Sequence, residues 1–257
     1  MPARQQVETW ELVTIPRRIF ASEYFWYEPG EAVCIAGPMQ RGKTRLAFDL
    51  LEFCATAQCP AFVIVSKPRD PVTREQATRL HYRFCEDWPV PIKVSQIWEG
   101  KPSGYVIWPP FGDLNKDIDR AAGVARRVLE DRYAQGVRMK QGIVIVDDTR
   151  VKEQILGLKR EMTTYLAMAG AMDVALWTFI QKPTGSGDTA IWSYGAAEHV
   201  FIFRDPDKRN RQRYDEIGGV DAKQVEALTY QLQPFQALYL KRTLQDGKQV
   251  MCIVDKD

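Results

Sequence analysis

Residues 37–44 read Gly37-Pro38-Met39-Gln40-Arg41-Gly42-Lys43-Thr44, which fits the pattern G-x-x-x-x-G-K-[ST]. The glycines allow backbone N–H groups to turn inward onto phosphate oxygens, and a following helix directs the positive end of its dipole at the same anion. Residues 32–36 before the loop predict a strand, and residues 43–57 after it predict a helix. This context predicts a phosphate-binding P-loop rather than a chance lysine in an ordinary loop.

Two residues of this loop carry the chemistry of a triphosphate. Lys43 would neutralise the β- and γ-phosphates, and the Thr44 hydroxyl would bind Mg²⁺, which prefers oxygen ligands together with phosphates and water. We therefore expect a nucleoside-triphosphatase that binds ATP and Mg²⁺, with Arg45 as the last of the nucleotide-binding residues. The sequence leaves the choice between ATP and GTP open.

A second anchor follows the apolar run of residues 143–146, where Asp147 and Asp148 stand together. Parallel sheets place their chemistry at the carboxyl ends of strands. Asp147 would hold Mg²⁺ through water, and Asp148 would orient or deprotonate the attacking water, with Glu153 as the nearest alternative base. The competing interpretation is that the aspartates only cap the next helix.

The remaining segments alternate between short apolar runs and amphipathic stretches, which is typical of an α/β fold with a mainly parallel central sheet flanked by helices. Residues 237–242 and 249–254 flank Asp246-Gly247, a pair that favours a tight turn, and so predict a C-terminal β-hairpin over 237–254. We expect a single domain over residues 1–257. The other predicted strands are 61–66, 105–108, 142–146, 174–180 and 199–203, and the other predicted helices are 114–136 and 154–170.

Residues 67–104 break this alternation, because five prolines punctuate them. We interpret this stretch as an insertion that contains a helix at 74–86 and an edge strand at 92–98. Residues 8–36 are expected to form an extended opening segment that leads into the first strand.

Composition limits the class of protein. The chain has 257 residues, 45% hydrophobic and 26% charged, and a net charge of +2, so a nucleic-acid partner must meet a local basic surface. Its five cysteines show no metal-binding spacing, which favours buried, reduced thiols and a cytoplasmic location. The sequence shows neither a secretory signal nor an apolar run long enough to span a bilayer, so we expect no membrane partner.

Beyond these motifs, one strand end resembles the Ala-Thr-Gln-Arg-Pro motif of the FtsK/HerA family of DNA-translocating and DNA-packaging ATPases, since it reads Thr178-Phe179-Ile180-Gln181-Lys182-Pro183. A later pattern of the same family is similar to Phe203-Arg204, Lys208 and Gly218-Gly219. The resemblance implies a RecA-like P-loop ATPase fold. It also implies that Gln181 senses the γ-phosphate.

The resemblance further implies a substrate and an assembly. We expect double-stranded DNA as the partner, a homo-oligomeric ring that is a pentamer or a hexamer, and hydrolysis coupled to DNA movement. The resemblance favours the small viral genome-packaging ATPases, or a mobile-element relative, over a chromosome pump, and the viral type implies a portal or capsid component and the host cytoplasm. The chain departs from the family at Asp148, where a glutamate is usual, and at Gly170, so the rate of hydrolysis is the property most affected.

Basic residues crowd the segment that follows the last predicted parallel strand, namely Arg204, Lys208, Arg209, Arg211 and Arg213. Ring ATPases use such arginines in trans to stabilise charge on the γ-phosphate. Arg204 is the first choice for this finger, and the other three arginines are alternatives that could equally contact the DNA backbone. The alternative without a function is that these residues form a solvated loop and pair with neighbouring acidic residues.

Two other functions stay open from the sequence. A nucleotide-dependent switch or assembly factor would bind ATP but turn it over slowly and would not act as a motor. A structural subunit with a vestigial nucleotide site would not depend on Lys43.

Overall fold

A ten-stranded sheet runs through the residues that the computed structural model describes, which are 12–90, 101–168, 171–181, 187–216, 222–245 and 248–256. The strands are β1 (Thr14–Pro16), β2 (Val33–Ala36), β3 (Ala61–Ile64), β4 (Arg83–Cys85), β5 (Gly104–Ile107), β6 (Gly142–Val146), β7 (Val174–Ile180), β8 (His199–Phe203), β9 (Ala237–Gln245) and β10 (Lys248–Asp255). The α-helices are α1 (Arg17–Ile19), α2 (Lys43–Cys54), α3 (Pro71–Arg79), α4 (Leu114–Val137), α5 (Lys159–Met168), α6 (Gly187–Ala196), α7 (Lys208–Gln212) and α8 (Ala222–Gln231). Two π-helical segments, Phe20–Tyr24 and Val151–Ile155, and one 3₁₀ turn, Arg213–Glu216, lie between them.

The sheet has the order β1-β10-β9-β8-β2-β7-β6-β3-β5-β4, and each neighbouring pair from β8 to β4 is parallel. β9 runs antiparallel to β8, and β10 runs antiparallel to β9, which confirms the predicted C-terminal hairpin, although its turn residues 246–247 lie outside the described residues. The mainly parallel α/β sheet is likewise confirmed. Because parallel strands share one carboxyl edge, the segments that follow β2, β3, β6, β7 and β8 all open there.

The central strands are buried on both faces, which explains why their sequences are uninterrupted apolar runs. On β6, Ile143 and Ile145 pack into the same cluster as α2, whereas Val144 and Val146 pack into the cluster formed with α4 and α5. Side chains alternate between faces along a strand, so β6 contributes to both clusters. The sheet is therefore a firmly held support for the segments at its carboxyl edge.

The opening segment differs from the prediction. After β1, residues 17–24 form helical turns instead of continuing as extended chain. The adjacent residues Phe20 and Ala21 are both buried in the cluster that contains α2. The predicted helix at 154–170 is also shorter, because Gly157 takes a left-handed φ of 64° and α5 begins only at Lys159.

Residues 67–90 belong to the sheet and its helices. α3 begins after Asp70, whose carboxylate accepts a hydrogen bond from the Thr73 backbone N–H at 3.0 Å. β4 then pairs in parallel with β5 at the sheet edge, so the predicted helix at 74–86 ends early. The strand predicted at 92–98 lies outside the described residues, and the interpretation of 67–104 as an insertion stays a prediction.

Two further observations concern the chain as a whole. Among the described residues, no helix combines the length and the apolar character needed to cross a membrane. The five cysteines are free thiols, and four of them are buried. Burial raises the pKa of Cys34 to about 12, so this thiol is a packing residue rather than a nucleophile.

Candidate nucleotide-binding site

The loop between β2 and α2 has the backbone of a phosphate cradle. Gly37 and Gly42 have φ angles of 141° and 96°, and Gln40 has a φ of 60°. Glycine is favoured in this region because it has no Cβ. A Cβ placed on Gly37 would lie 2.7 Å from the Cβ of Phe203 on β8. Both glycines of the motif are therefore required by the local geometry.

Lys43 opens α2 and folds back over the loop. Its Nζ donates hydrogen bonds to the Gly37 carbonyl at 2.6 Å and to the Pro38 carbonyl at 2.7 Å. Burial lowers the pKa of Lys43 to about 8, although the nearby Asp147 opposes this shift. The ammonium is thus held directly above the cradle, on carbonyl groups that it can exchange for phosphate oxygens.

A cavity of about 360 Å³ lies against the loop. The predicted residues Lys43, Thr44, Asp147 and Gln181 line it, together with the other nucleotide-binding candidates Met39, Gln40, Gly42 and Arg45. The sheet order explains this convergence, because β7 lies between β2 and β6 and places Gln181 between the P-loop and Asp147. Arg204 does not line this cavity.

Lys67 is a site residue that the sequence analysis missed. It follows β3, the strand next to β6, and its Nζ lies 2.7 Å from Oδ2 of Asp147, a residue that is only 7% exposed. Burial by itself lowers the pKa of Lys67, but the charge and the hydrogen bond of Asp147 outweigh burial and raise it. Trp108 holds the backbone in place by donating from Nε1 to the Lys67 carbonyl at 2.8 Å. In the sequence, the signal that could have identified Lys67 was its position just after an apolar strand.

Asp148 links the aspartate pair to the sensing strand. Its Oδ2 accepts a hydrogen bond of 2.6 Å from Nε2 of Gln181, and its backbone has a left-handed φ of 53°. Its Oδ1 also accepts a longer bond, 3.4 Å, from the Val151 backbone N–H. Asp148 therefore both caps the following π-helical turn and contacts the proposed sensor, so the two interpretations of this residue are compatible.

The π-helical turn Val151–Ile155 directs two charged side chains inward. Lys152 is fully buried, and its Nζ has no hydrogen-bond partner among the described residues. Burial lowers its pKa to about 8, and the charges of Asp147 and Asp148 only partly oppose this effect. Glu153, the alternative base, is also buried, and its Oε2 has no partner within the described part of the chain.

The residues present fit a nucleotide with Mg²⁺. Thr44 and Asp147 bring a hydroxyl and a carboxylate to one cavity, and these are the oxygen ligands that Mg²⁺ prefers. The described ranges contain no group of three His, Cys, Asp or Glu side chains that could hold a metal ion. Lys43 and Lys67 at the same cavity provide positive charge for a triphosphate.

The structure separates the arginines that follow β8. Arg211 is buried, donates from Nη1 to the Asp205 carbonyl at 2.8 Å, and places its guanidinium 4.8 Å from the centre of the Tyr230 ring. Arg204 is half-buried and makes no hydrogen bond or ion pair with any residue that the structure describes. Arg213 has partners of its own, and Arg209 is exposed. The Lys182-Pro183 and Gly218-Gly219 positions lie outside the described residues.

The glycine-bent loop, its flanking strand and helix, and the aspartates on a strand two places away define a RecA-like P-loop ATPase fold. Neither a family model nor a curated protein matches the sequence.

Solved structures carry the comparison further. The genome-packaging NTPase B204 of Sulfolobus turreted icosahedral virus 2, in complex with sulfate, has a TM-score of 0.59 at 10% identity, covering 90% of this chain and 98% of that one. The DNA-packaging ATPase B204 of Sulfolobus turreted icosahedral virus has a TM-score of 0.56 at 12% identity, with 90% and 100% covered. The pCW3 conjugation coupling protein TcpA has a TM-score of 0.52 at 12% identity, with 93% and 62% covered. These neighbours match the FtsK/HerA resemblance, which is confirmed at the level of the fold.

Proposed function

We propose that this chain is an ATP-hydrolysing ring motor that translocates double-stranded DNA, and that it packages a viral genome. The observation that carries the proposal is the single cavity where Lys43, Thr44, Asp147 and Gln181 meet. The fold neighbours support it, since their names describe genome-packaging and DNA-packaging ATPases and a conjugation coupling protein, and B204 of the second virus is also known in complex with AMPPCP. The proposed partners are DNA, further copies of the chain and a portal or capsid component.

Phosphate binding rearranges two lysines. Lys43 exchanges the carbonyls of Gly37 and Pro38 for the β- and γ-phosphate oxygens. Lys67 releases Asp147, because its ion pair at 2.7 Å competes with Mg²⁺, which this carboxylate would hold through water. Thr44, and Asp147 through water, would hold Mg²⁺, which would supply neutralising charge at the β- and γ-phosphates. The released Lys67 ammonium stays at the cavity as a further cation for the phosphates.

Gln181 would couple the γ-phosphate to the base. In the structure its amide donates to Asp148 at 2.6 Å, which occupies one oxygen of the proposed base. When the amide turns to the γ-phosphate, that oxygen becomes available to accept a proton from the attacking water. Glu153 is the alternative, and two variants separate them: the base is whichever of Asp148→Asn and Glu153→Gln abolishes hydrolysis while ATP binding persists.

Arg204 remains the first choice for the arginine that acts on a neighbouring subunit's nucleotide. Its guanidinium is uncommitted within the described chain, whereas Arg211 is occupied by Asp205 and Tyr230. An arginine that contacts a neighbouring subunit's nucleotide must be able to extend its side chain away from its own subunit. Arg211 would have to break buried contacts to do so. We therefore assign Arg211 a structural role and keep Arg209 as the alternative finger.

The first experiment measures phosphate release with and without double-stranded DNA over a range of protein concentration. The motor proposal expects turnover that DNA stimulates, that rises cooperatively with concentration, and that Lys43→Ala and Arg204→Ala abolish. Slow turnover that neither DNA nor the Arg204→Ala substitution changes would favour the nucleotide-dependent switch. Nucleotide binding that Lys43→Ala leaves unchanged would favour the vestigial site.

A mixing experiment tests whether Arg204 acts in trans. Lys43→Ala subunits keep Arg204, and Arg204→Ala subunits keep the P-loop, so a mixed ring contains some complete sites between them. Activity that appears only on mixing supports a trans-acting finger. The matched control mixes Lys43→Ala subunits with Arg209→Ala subunits. If Arg209→Ala alone is inactive and this mixture regains ATPase activity, Arg209 is the trans-acting finger instead.

A further inference from the structure

A second cavity, of about 670 Å³, adjoins the P-loop on the side that faces β9 and β10. It shares Gln40, Gly42 and Arg45 with the cavity at Lys43, so the two meet along the loop. One part of its wall comes from helices α2 and α3, which contribute Asp49, Glu75 and Arg79. The other part comes from the carboxyl edge of the sheet, where Arg17 follows β1, Phe235 precedes the antiparallel β9, and Lys256 follows β10.

Phe235 is an exposed aromatic residue beside the phosphate loop. It is 43% exposed, and its φ of 70° is uncommon for a bulky residue. Its ring faces the loop, since a Cβ on Gly42 would lie 3.5 Å from Cδ1 of Phe235. A large apolar side chain that the backbone holds in an unfavoured conformation, against a cavity wall, suggests a binding role rather than packing.

The surrounding residues hold Phe235 from behind and leave its ring accessible. Arg17 is only 4% exposed, donates from Nη2 to the Phe235 carbonyl at 3.0 Å, and has an ion pair of 3.5 Å with Asp49 on α2. The Lys256 ammonium lies 5.7 Å from the ring centre, on an exposed side chain that can move without disturbing the core. The backbone of Phe235 is therefore fixed to α2, while the ring can take a flat partner.

We propose that Phe235 stacks on the base of the nucleotide whose phosphates lie in the P-loop, an inference that rests on the proposed ATPase function. Gln181 and Asp147 mark the γ-phosphate side of the loop, toward β7 and β6. The nucleoside end of the same molecule then extends the opposite way, past Gln40 and Arg45, into the cavity that Phe235 lines.

Stacking gives this site a defined selectivity. An aromatic ring binds the π face of any base, so Phe235 favours a nucleotide over a triphosphate without a base and makes little distinction between adenine and guanine.

The test compares two ligands, one with and one without the nucleoside that carries the base. Full-length protein is titrated by calorimetry with Mg²⁺ and either AMPPCP, a non-hydrolysable ATP analogue, or inorganic tripolyphosphate. Phe235→Ala is expected to weaken AMPPCP binding by roughly 5- to 150-fold, from the cost of losing one base–aromatic stack, and to leave tripolyphosphate binding unchanged. Phe235→Trp should retain the affinity of the wild type for AMPPCP. Phe53→Ala is the matched control, because Phe53 on α2 is 44% exposed and lines neither cavity.

Each other outcome decides against the stack. If Phe235→Ala weakens the binding of both ligands equally, the residue only shapes the loop. If it does not weaken AMPPCP binding, Phe235 does not contact the bound base. A wild type that binds AMPPCP no more tightly than tripolyphosphate would overturn the base site but leave the P-loop proposal intact. Failure of the wild type to bind either ligand would overturn the ATPase proposal, and the stacking site with it.

Discussion

Replacing Lys152 with methionine is expected to stabilise the fold at neutral pH. The Lys152 ammonium is fully buried and has no hydrogen-bond partner among the described residues, although Asp147 and Asp148 attract it. Burial outweighs that attraction and lowers the pKa of Lys152 from 10.5 to about 8. Methionine has a similar length and flexibility and carries no charge, so it can fill the same space.

The size of the effect follows from that pKa. A lowering from 10.5 to about 8 corresponds to about 3 kcal/mol of unfavourable free energy for the charged form in the folded state. Below pH 8 both folded and unfolded chains keep the proton, so the full penalty persists at neutral pH. Between pH 8 and 10.5 the folded chain binds fewer protons than the unfolded chain, so this group makes the wild type more stable as pH rises.

The assay is urea unfolding at neutral pH and again near the upper end of that window. Lys152→Met should exceed the wild type by up to about 3 kcal/mol at neutral pH, and the gap should shrink at the higher pH. Lys67→Met is the matched control with the opposite sign, because the pKa of Lys67 is raised and its removal leaves Asp147 buried without its ion pair. A Lys152→Met protein that is less stable than the wild type at neutral pH would refute the reasoning. A difference in unfolding free energy between the two proteins that does not change with pH would also refute it.

Three further predictions concern the phosphate site. Gly37→Ala should lower the free energy of unfolding by about 2–4 kcal/mol, because its φ is left-handed and the new Cβ would lie 2.7 Å from that of Phe203; urea unfolding that matches the wild type would contradict this. Lys67→Ala should lower the Mg²⁺ concentration needed for AMPPCP binding by freeing Asp147, whereas a higher requirement in a Mg²⁺ titration would mean that Lys67 mainly serves the phosphates. Because burial lowers the pKa of Lys43 to about 8, AMPPCP binding should take up a proton above that pH, and calorimetric heats that do not depend on the buffer's ionisation enthalpy would count against it.

The parts of this site that local sequence signals describe were predictable. The glycine spacing and the apolar run before it place the P-loop, and Asp147 and Gln181 each end an apolar strand. Their convergence was not predictable from periodicity, because it depends on β7 lying between β2 and β6. The same non-local order brings Lys67 to Asp147 and Gln181 to Asp148, two contacts between residues 80 and 33 positions apart along the chain.

Residues of one chemical type acquire different roles only through the fold. The arginines after β8 look equivalent in the sequence, yet Arg211 is buried against the Asp205 carbonyl and Arg204 stays uncommitted. Phe235 likewise has no local signature, since its exposure beside Gly42 arises because β9 returns antiparallel and starts at the carboxyl edge of β8. In the proposed site, parallel strands thus supply the groups for the phosphates and the antiparallel strand β9 follows the aromatic ring for the base, so the two ends of a nucleotide test two separate features of the topology.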